Sequence, residues 1–331
     1  MSNSLNLQIA IPFAQIESLN PNISETNFQK SQEIYFMNIS TCFVSIRKHN
    51  PDIGLQLYTN KNPPDKFVKG LRDIGVTIKI TPFTFIPPAE NGNLFRGCFY
   101  IFDAIANMQE STLFLDPDII CIRKIDLPEI QRAVPKEEIG FFYPGFSNEK
   151  KINGLTHNEA IEKYNSLMGT SYSPSRHIGG ECIFLPISLR DSLMLDFRNY
   201  WLLATRETKS LKSSFLTTEE HILSVISLKF SSFSLNRHIS RIWTTKTYRK
   251  VEGSHAIEGL TFWHLPSEKN RGLLDIFHFI SMNENEYLNF SEDEEIHFLK
   301  KTLTLDFPLV RNLISLVFSR IKSTIGLARQ E

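Results

Sequence analysis

Apolar and polar positions follow two rhythms along the first half of the chain, one with the alternation or continuity of strands and one with helical spacing. Leu7-Gln8-Ile9-Ala10-Ile11-Pro12 reads as an opening strand closed by Pro12, and the stretch from Asn27 to Lys48 fits a helix. Gly54 to Thr59 is a second strand with its turn at Asn60 to Pro64. Phe67, Leu71 and Ile74 lie at helical spacing within Asp65 to Ile74, and Val76 to Ile80 follows as a third strand. Phe95 to Met108 is a further helix leading into an apolar run, Thr112 to Leu115. This βαβαβαβ order predicts an α/β protein built on a doubly wound, mainly parallel sheet.

The second half is less regular. Gly140 to Tyr143, Cys182 to Leu185 and Thr261 to His264 have the look of short strands, and Ile187 to Glu207 that of a helix. Pro144 to Arg176 is long, polar and contains Gly and Ser, so it reads as a functional or partly ordered loop rather than a neutral connector. No internal repeat or low-complexity tract interrupts the chain.

The chemistry concentrates where the fourth strand ends, at Leu115-Asp116-Pro117-Asp118-Ile119-Ile120. Two carboxylates one residue apart cannot enter a core unpaired, because burying a bare carboxylate is very unfavourable. At the mouth of a parallel sheet, where α/β proteins bind ligands, such a pair suits a hard divalent cation that in turn holds a diphosphate. Asp-Pro-Asp has a second reading as plain turn chemistry, since Pro presets φ and Asp favours turns.

Composition narrows the field. With 331 residues the chain can bury a sizeable core as one large or two intimate domains. Its 36 basic and 36 acidic residues balance, which removes the general basic excess of nucleic-acid binders, so no nucleic-acid partner is expected. Cys42, Cys98, Cys121 and Cys182 are widely spaced and form neither zinc-type pairs nor a disulfide framework, so each reads as a small core hydrophobe. Met1 to Asn6 is polar and lacks a signal-peptide pattern. No apolar stretch reaches the ~20 residues that span a bilayer. A cytoplasmic protein is the expectation.

Leu94-Phe95-Arg96, a helix, and then Thr112-Leu113-Phe114-Leu115-Asp116-Pro117-Asp118 together resemble the nucleotide-sugar glycosyltransferases with the GT-A fold. The likeness is greatest to the glycogenin and lipopolysaccharide-galactosyltransferase type, in which an Arg-bearing helix precedes a "YLDxDxxV" strand. His177-Ile178-Gly179-Gly180-Glu181-Cys182-Ile183-Phe184 resembles the family's Gly-containing strand beside the donor sugar. Phe262-Trp263-His264, followed by Lys269 and Gly272, is similar to its late His, Gly and Lys segment.

The resemblance implies a GT-A catalytic domain over 1–275, with a nucleotide-sugar half at about 1–125 and an acceptor half at about 126–275, and a helical C-terminal region at 276–331. It implies Mn²⁺ or Mg²⁺ held by Asp116, Asp118 and His264, with Asp116 also at the ribose. Imidazole suits Mn²⁺-like ions better than Mg²⁺. Lys269 would meet the diphosphate, and Arg96 and Gly180 the donor. The donor implied by the resemblance is a nucleotide-diphosphate sugar, UDP-linked by family likeness, and the implied acceptor is a glycan or lipid-linked molecule. Each residue has a plainer reading: His264 as a histidine bonded at a core edge, Lys269 as a solvated loop charge, Arg96 as a helix-start cation, and Gly179 and Gly180 as a turn or bulge.

Glu181, Glu219 and Glu220 are the remaining acids of interest, because transfer to a hydroxyl uses a carboxylate base in one of its two stereochemical modes. Glu181 and Glu219 are the catalytic candidates. Thr217-Thr218-Glu219-Glu220 also fits a capping box, with Thr217 as N-cap and Glu220 reaching back.

From Phe307 to Leu327 the chain is apolar and, past Asp306, carries only positive charge. That pattern fits a basic amphipathic helix, either on a membrane surface or packed on the catalytic domain or a second subunit.

Two other classes carry the same features. A haloacid-dehalogenase-like phosphohydrolase would use Asp116 and Asp118 as nucleophile and acid, but expects Thr or Val where Ile120 stands and a later Gly-Asp-x-x-x-Asp motif that the chain lacks. A non-catalytic nucleotide-sugar binder would share the scaffold.

Overall fold

The computed structural model describes residues 7–16, 25, 27–88, 95–173, 176–211, 218–244, 249–252 and 257–305. The chain opens with β1 (Leu7–Phe13), α1 (Phe28–His49), β2 (Gly54–Thr59), α2 (Asp65–Asp73), β3 (Val76–Ile80), α3 (Tyr100–Asn107) and β4 (Ser111–Leu115). It continues through β5 (Ile119–Cys121), α4 (Leu127–Ala133), β6 (Ile139–Phe142), α5 (His157–Met168), β7 (Gly179–Leu185), α6 (Arg190–Leu211), α7 (Glu219–Ile226) and β8 (Ser232–Ser234). Then come β9 (Ile239–Thr244), β10 (Arg249–Glu252), β11 (Phe262–His264), α8 (Gly272–Met282), α9 (Glu284–Asn289) and α10 (Glu292–Thr302).

Seven strands form the main sheet in the order β3-β2-β1-β4-β7-β6-β8. β3, β2, β1 and β4 run parallel, while β7 is antiparallel to both β4 and β6. This is the expected doubly wound, mainly parallel sheet with a helical C-terminal region. The order reverses between β2-β1 and β1-β4, which opens a crevice at the carboxyl ends of those strands.

Side-chain alternation divides β1 between two cores. Ile9, Ile11 and Phe13 pack with α1 and α2, whereas Ala10 joins the core under α3, α6 and α7. Both faces being covered, these strands appear in sequence as nearly continuous apolar runs. Each fully buried Ile or Phe contributes roughly 1.5–3 kcal/mol.

A second sheet, β10-β9-β11-β5, lies beside the first and carries α8, α9 and α10 on a core centred on Trp263, Leu265 and Leu273. The sequence pattern does not disclose it, because β5 and β11 are three residues each. α8 begins at Gly272 and opens the helical C-terminal region.

Two local expectations are corrected. The polar stretch 144–176 contains α5, which starts with a capping box from Thr156 and Glu159 and ends at Gly169 with φ +64°. α7 is preceded by Thr218 as N-cap, with no side-chain capping bond, and Glu220 is engaged elsewhere. Thr217, like Leu94, lies outside the described residues, and so does the segment 306–331 with its proposed amphipathic helix. No helix among the described residues is long and apolar enough to cross a membrane.

Candidate functional site

The Asp-Pro-Asp segment is the junction between the two sheets. Asp116 extends β4 by one residue, its N–H donating to the Glu181 carbonyl at 3.0 Å, while Asp118 accepts from the Leu265 N–H at 3.0 Å in the second sheet. Pro117 sits where the chain changes sheets and no ladder bond is required, so its missing N–H is harmless there. Strand register then assembles the site. Leu115 pairs with Cys182, placing Glu181 opposite Asp116; Ile119 pairs with His264, and His264 with Arg241.

His264 bridges two carboxylates. Its Nε2 lies 3.1 Å from Asp118 Oδ2 and 3.6 Å from Asp116 Oδ2, and its Nδ1 lies 3.1 Å from Glu181 Oε1. Burial opposes its charge, but Asp118 and Glu181 overcome that and raise the imidazole to about 9. Lys269 Nζ also donates to Asp118 Oδ2. Although burial works against an ionised Asp118, Lys269 and His264 hold it well below the usual carboxylate range. Desolvation and then the Asp118 charge push Asp116 up to about 6. Asp116 is the open member, its side chain 43% exposed against 1% for Asp118.

Lys269 reaches the acids from a loop fastened to the end of β9. The Thr244 N–H donates to Ser267 Oγ at 3.0 Å, and Glu268 Oε2 accepts from the Gly272 N–H at 3.0 Å. Gly272 lets the loop approach closely, since a Cβ there would stand 2.7 Å from Leu303 Cδ2 and 2.8 Å from Glu268 Oε2, and those side chains would have to shift.

The donor set fits a hard divalent cation. One oxygen or nitrogen from each of Asp116, Asp118 and His264 lies within 4.8 Å of the others. Asp118 Oδ1 is buried with no hydrogen-bond partner, the kind of orphan that a ligated ion satisfies.

Glu181 is fully buried, and both its oxygens are engaged by Arg241, at 2.7 Å from Nε and 2.8 Å from a terminal nitrogen. Burial would raise its carboxyl, yet Arg241 and His264 hold it down at about 2. The same guanidinium donates to Glu220 Oε1 at 2.8 Å, and Glu220 Oε2 lies 3.4 Å from His177 Nε2.

Glu219, at the first turn of α7, is placed differently. It lines a small pocket with Asp116, Gly180, Cys98, Phe114 and Pro12. Burial and the neighbouring Glu220 charge raise its carboxyl to about 8. Gly180 leaves the room it occupies, because a Cβ there would stand 2.3 Å from Glu219 Oε1. Gly179 faces the irregularity in β6, where the register shifts between Phe141 and Phe142.

Asp116, Asp118, Gly180, Glu181, Glu219, His264 and Lys269 therefore fall in one connected region. Arg96 lies on the short 3₁₀ turn before α3, next to Phe95 in the left-handed region, and a terminal guanidinium nitrogen donates to the Pro87 carbonyl at 3.0 Å. Arg241 escapes sequence reasoning altogether: an arginine in Ser240-Arg241-Ile242 carries no local signal, and only burial on a strand flanked by acids reveals it.

No protein-family model matches the chain, and no curated protein sequence matches it. Similarity to solved structures is found. The galactosyltransferase LgtC in complex with donor and acceptor sugar analogs is 10% identical, with a TM-score of 0.46 over 78% of this chain and 86% of that one. An active-site mutant of LgtC reaches a TM-score of 0.48, covering 83% and 95% at 10% identity. The apo form of mouse xyloside xylosyltransferase 1 gives 0.43, covering 78% and 97% at 11% identity.

Proposed function

We propose that the chain is a metal-dependent glycosyltransferase that moves a hexose from a nucleotide-diphosphate sugar, UDP-linked, to a glycan or lipid-linked acceptor. One observation carries the reading: a carboxylate pair and an imidazole converge at the sheet junction, where Asp118 Oδ1 is buried without a partner. The sequence resemblance described above supports the same assignment.

Glycosyl transfer builds negative charge on the departing nucleoside diphosphate, which positive groups must stabilise. A bound Mn²⁺ or Mg²⁺ supplies that stabilisation as a Lewis acid. Asp116, Asp118 and His264 would hold the ion, Asp116 from the exposed side where the nucleotide arrives. Lys269, which pairs with Asp118, would be the nearby cation available to the diphosphate. Glu219, in the pocket that Asp116 and Gly180 share, takes the acceptor hydroxyl proton. Glu181 orients rather than reacts, since both of its oxygens are engaged.

The test is Mn²⁺-dependent release of nucleoside diphosphate from a panel of sugar nucleotides. Release from one donor names the sugar. No release from any donor, together with phosphate freed from simple phosphate esters, would move the assignment to a phosphohydrolase using Asp116 and Asp118.

The glycine beside the pocket gives a sharper check on the base. Gly180→Ala drives a methyl group into the Glu219 carboxylate. A misplacement of about 1 Å at a reacting group lowers the rate on the order of 10²-fold. Transfer to acceptor is expected to fall by that order while Mn²⁺ affinity stays at the wild-type value. Unchanged transfer would remove Glu219 from the base role.

A further inference from the structure

A buried arginine ties the site together from behind. Arg241 stands in register beside His264 on the neighbouring strand, and its guanidinium faces three carboxylates. It grips Glu181 through two parallel bonds of 2.7 and 2.8 Å, donates to Glu220 at 2.8 Å, and lies 3.7 Å from Glu252. Glu181 passes this anchoring on through Oε1, which meets His264 Nδ1 at 3.1 Å, while His264 Nε2 points to the aspartates.

Resting on the metal-centre reading above, we infer that Arg241 and Glu181 form a positioning relay that fixes His264 for metal binding through Nε2. Imidazole has two nitrogens, and the partner of one decides which is left to ligate. A carboxylate on Nδ1 keeps that nitrogen protonated, locks the ring orientation and makes Nε2 a better donor. Glu181 serves only if it stays ionised in its buried position, and the bidentate fork of Arg241 is suited to that. Glu181 is buried and Arg241 nearly so, and both act through His264.

The experiment uses the full chain and Mn²⁺ alone, with no sugar nucleotide. Free Mn²⁺ is followed by continuous-wave EPR during titration, and bound Mn²⁺ is examined by pulsed EPR for the modulation of a coordinated imidazole nitrogen. Glu181→Gln keeps the shape and removes the charge; Arg241 retains Glu220 and Glu252, so the fold has a reason to persist. Arg241→Lys keeps the charge and removes the fork. Loss of an outer partner typically lowers metal affinity about 10–100-fold. That loss is expected in both variants, with a weakened imidazole signal and a cooperative thermal melt. Wild-type affinity and signal in either folded variant would overturn the relay and leave the metal centre standing. A wild type that binds no Mn²⁺ overturns the metal-centre reading and the relay with it. Should one variant fail to melt cooperatively, the other decides.

Discussion

Asp118→Asn is expected to abolish Mn²⁺-dependent release of nucleoside diphosphate and to weaken Mn²⁺ binding by more than the ~100-fold that loss of an outer partner causes. Asn keeps the shape of the side chain, so the junction and the strand register remain. It removes the charge that pairs with Lys269 and His264 and supplies a weaker oxygen donor to the ion. The same change has a thermodynamic consequence in the metal-free protein. Breaking a buried pair costs about 3–5 kcal/mol when it strands the partner charge. Here His264 can shed its proton and keep its Glu181 bond, which limits the loss.

The sign of the pH dependence follows from the direction of the shift. Folded Asp118 is held below its ordinary value of 3.8, so its contribution is complete well above that pH and disappears as the protein is acidified through the folded value. Melting temperatures of wild type and Asp118→Asn should therefore differ most near neutrality and converge in acid. Circular dichroism melts and Mn²⁺ titration on the same samples separate the two effects. Normal Mn²⁺-dependent turnover in a folded Asp118→Asn protein would falsify the site.

The parts of this site that are local in sequence are the parts that sequence reveals. Asp116 and Asp118 close an apolar strand within a single decapeptide, and neither the strand nor the acids need anything distant to be recognised. His264 and Lys269 require the resemblance, since each is a polar residue near a short strand until the register of β5 and β11 places His264 beside Ile119. Arg241 lies 60 residues from Glu181 and 21 from Glu220, and no periodicity connects them. The α/β class was legible because both rhythms persist over long elements. The second sheet was not, because its three- to six-residue strands are too short to set a period and are identified only by their partners. α5 escaped for a different reason: its burial is confined to His157, Ala160, Ile161 and Tyr164, so one narrow stripe faces the core and the rest is polar. The capping-box reading of Glu220 failed because a local hydrogen bond to the helix start competes with a buried guanidinium, and the charged, desolvated pair is the stronger interaction.

Glu219→Gln is expected to lower transfer to acceptor by about 10²–10⁴-fold, the usual worth of a positioned acid or base, while making the metal-free protein more stable at alkaline pH. The two effects have one origin. Glu219 stands beside Glu220, whose charge Arg241 secures, so ionising Glu219 places a second negative charge in the same desolvated corner. Its folded value near 8 lies above its ordinary 4.5, so the folded protein binds more protons than the unfolded chain between those values. Stability from this group is therefore complete below about pH 4.5 and declines as pH rises towards 8. Gln cannot ionise and escapes that decline.

Melting curves of wild type and Glu219→Gln should accordingly coincide in mild acid and separate progressively up to pH 8, with the variant higher. The rate has the opposite preference, since a base must be ionised to accept a proton. Wild-type kcat/KM for transfer should rise through an apparent value close to that of Glu219, and the limb should be missing in the variant. A variant that loses activity without gaining stability at high pH would place Glu219 in a binding role, whereas a gain in stability with full activity would place the acceptor base elsewhere. Ionising Glu219 beside Glu220 costs stability, and the same ionisation is what a proton-accepting role requires, so the two pH profiles should oppose each other.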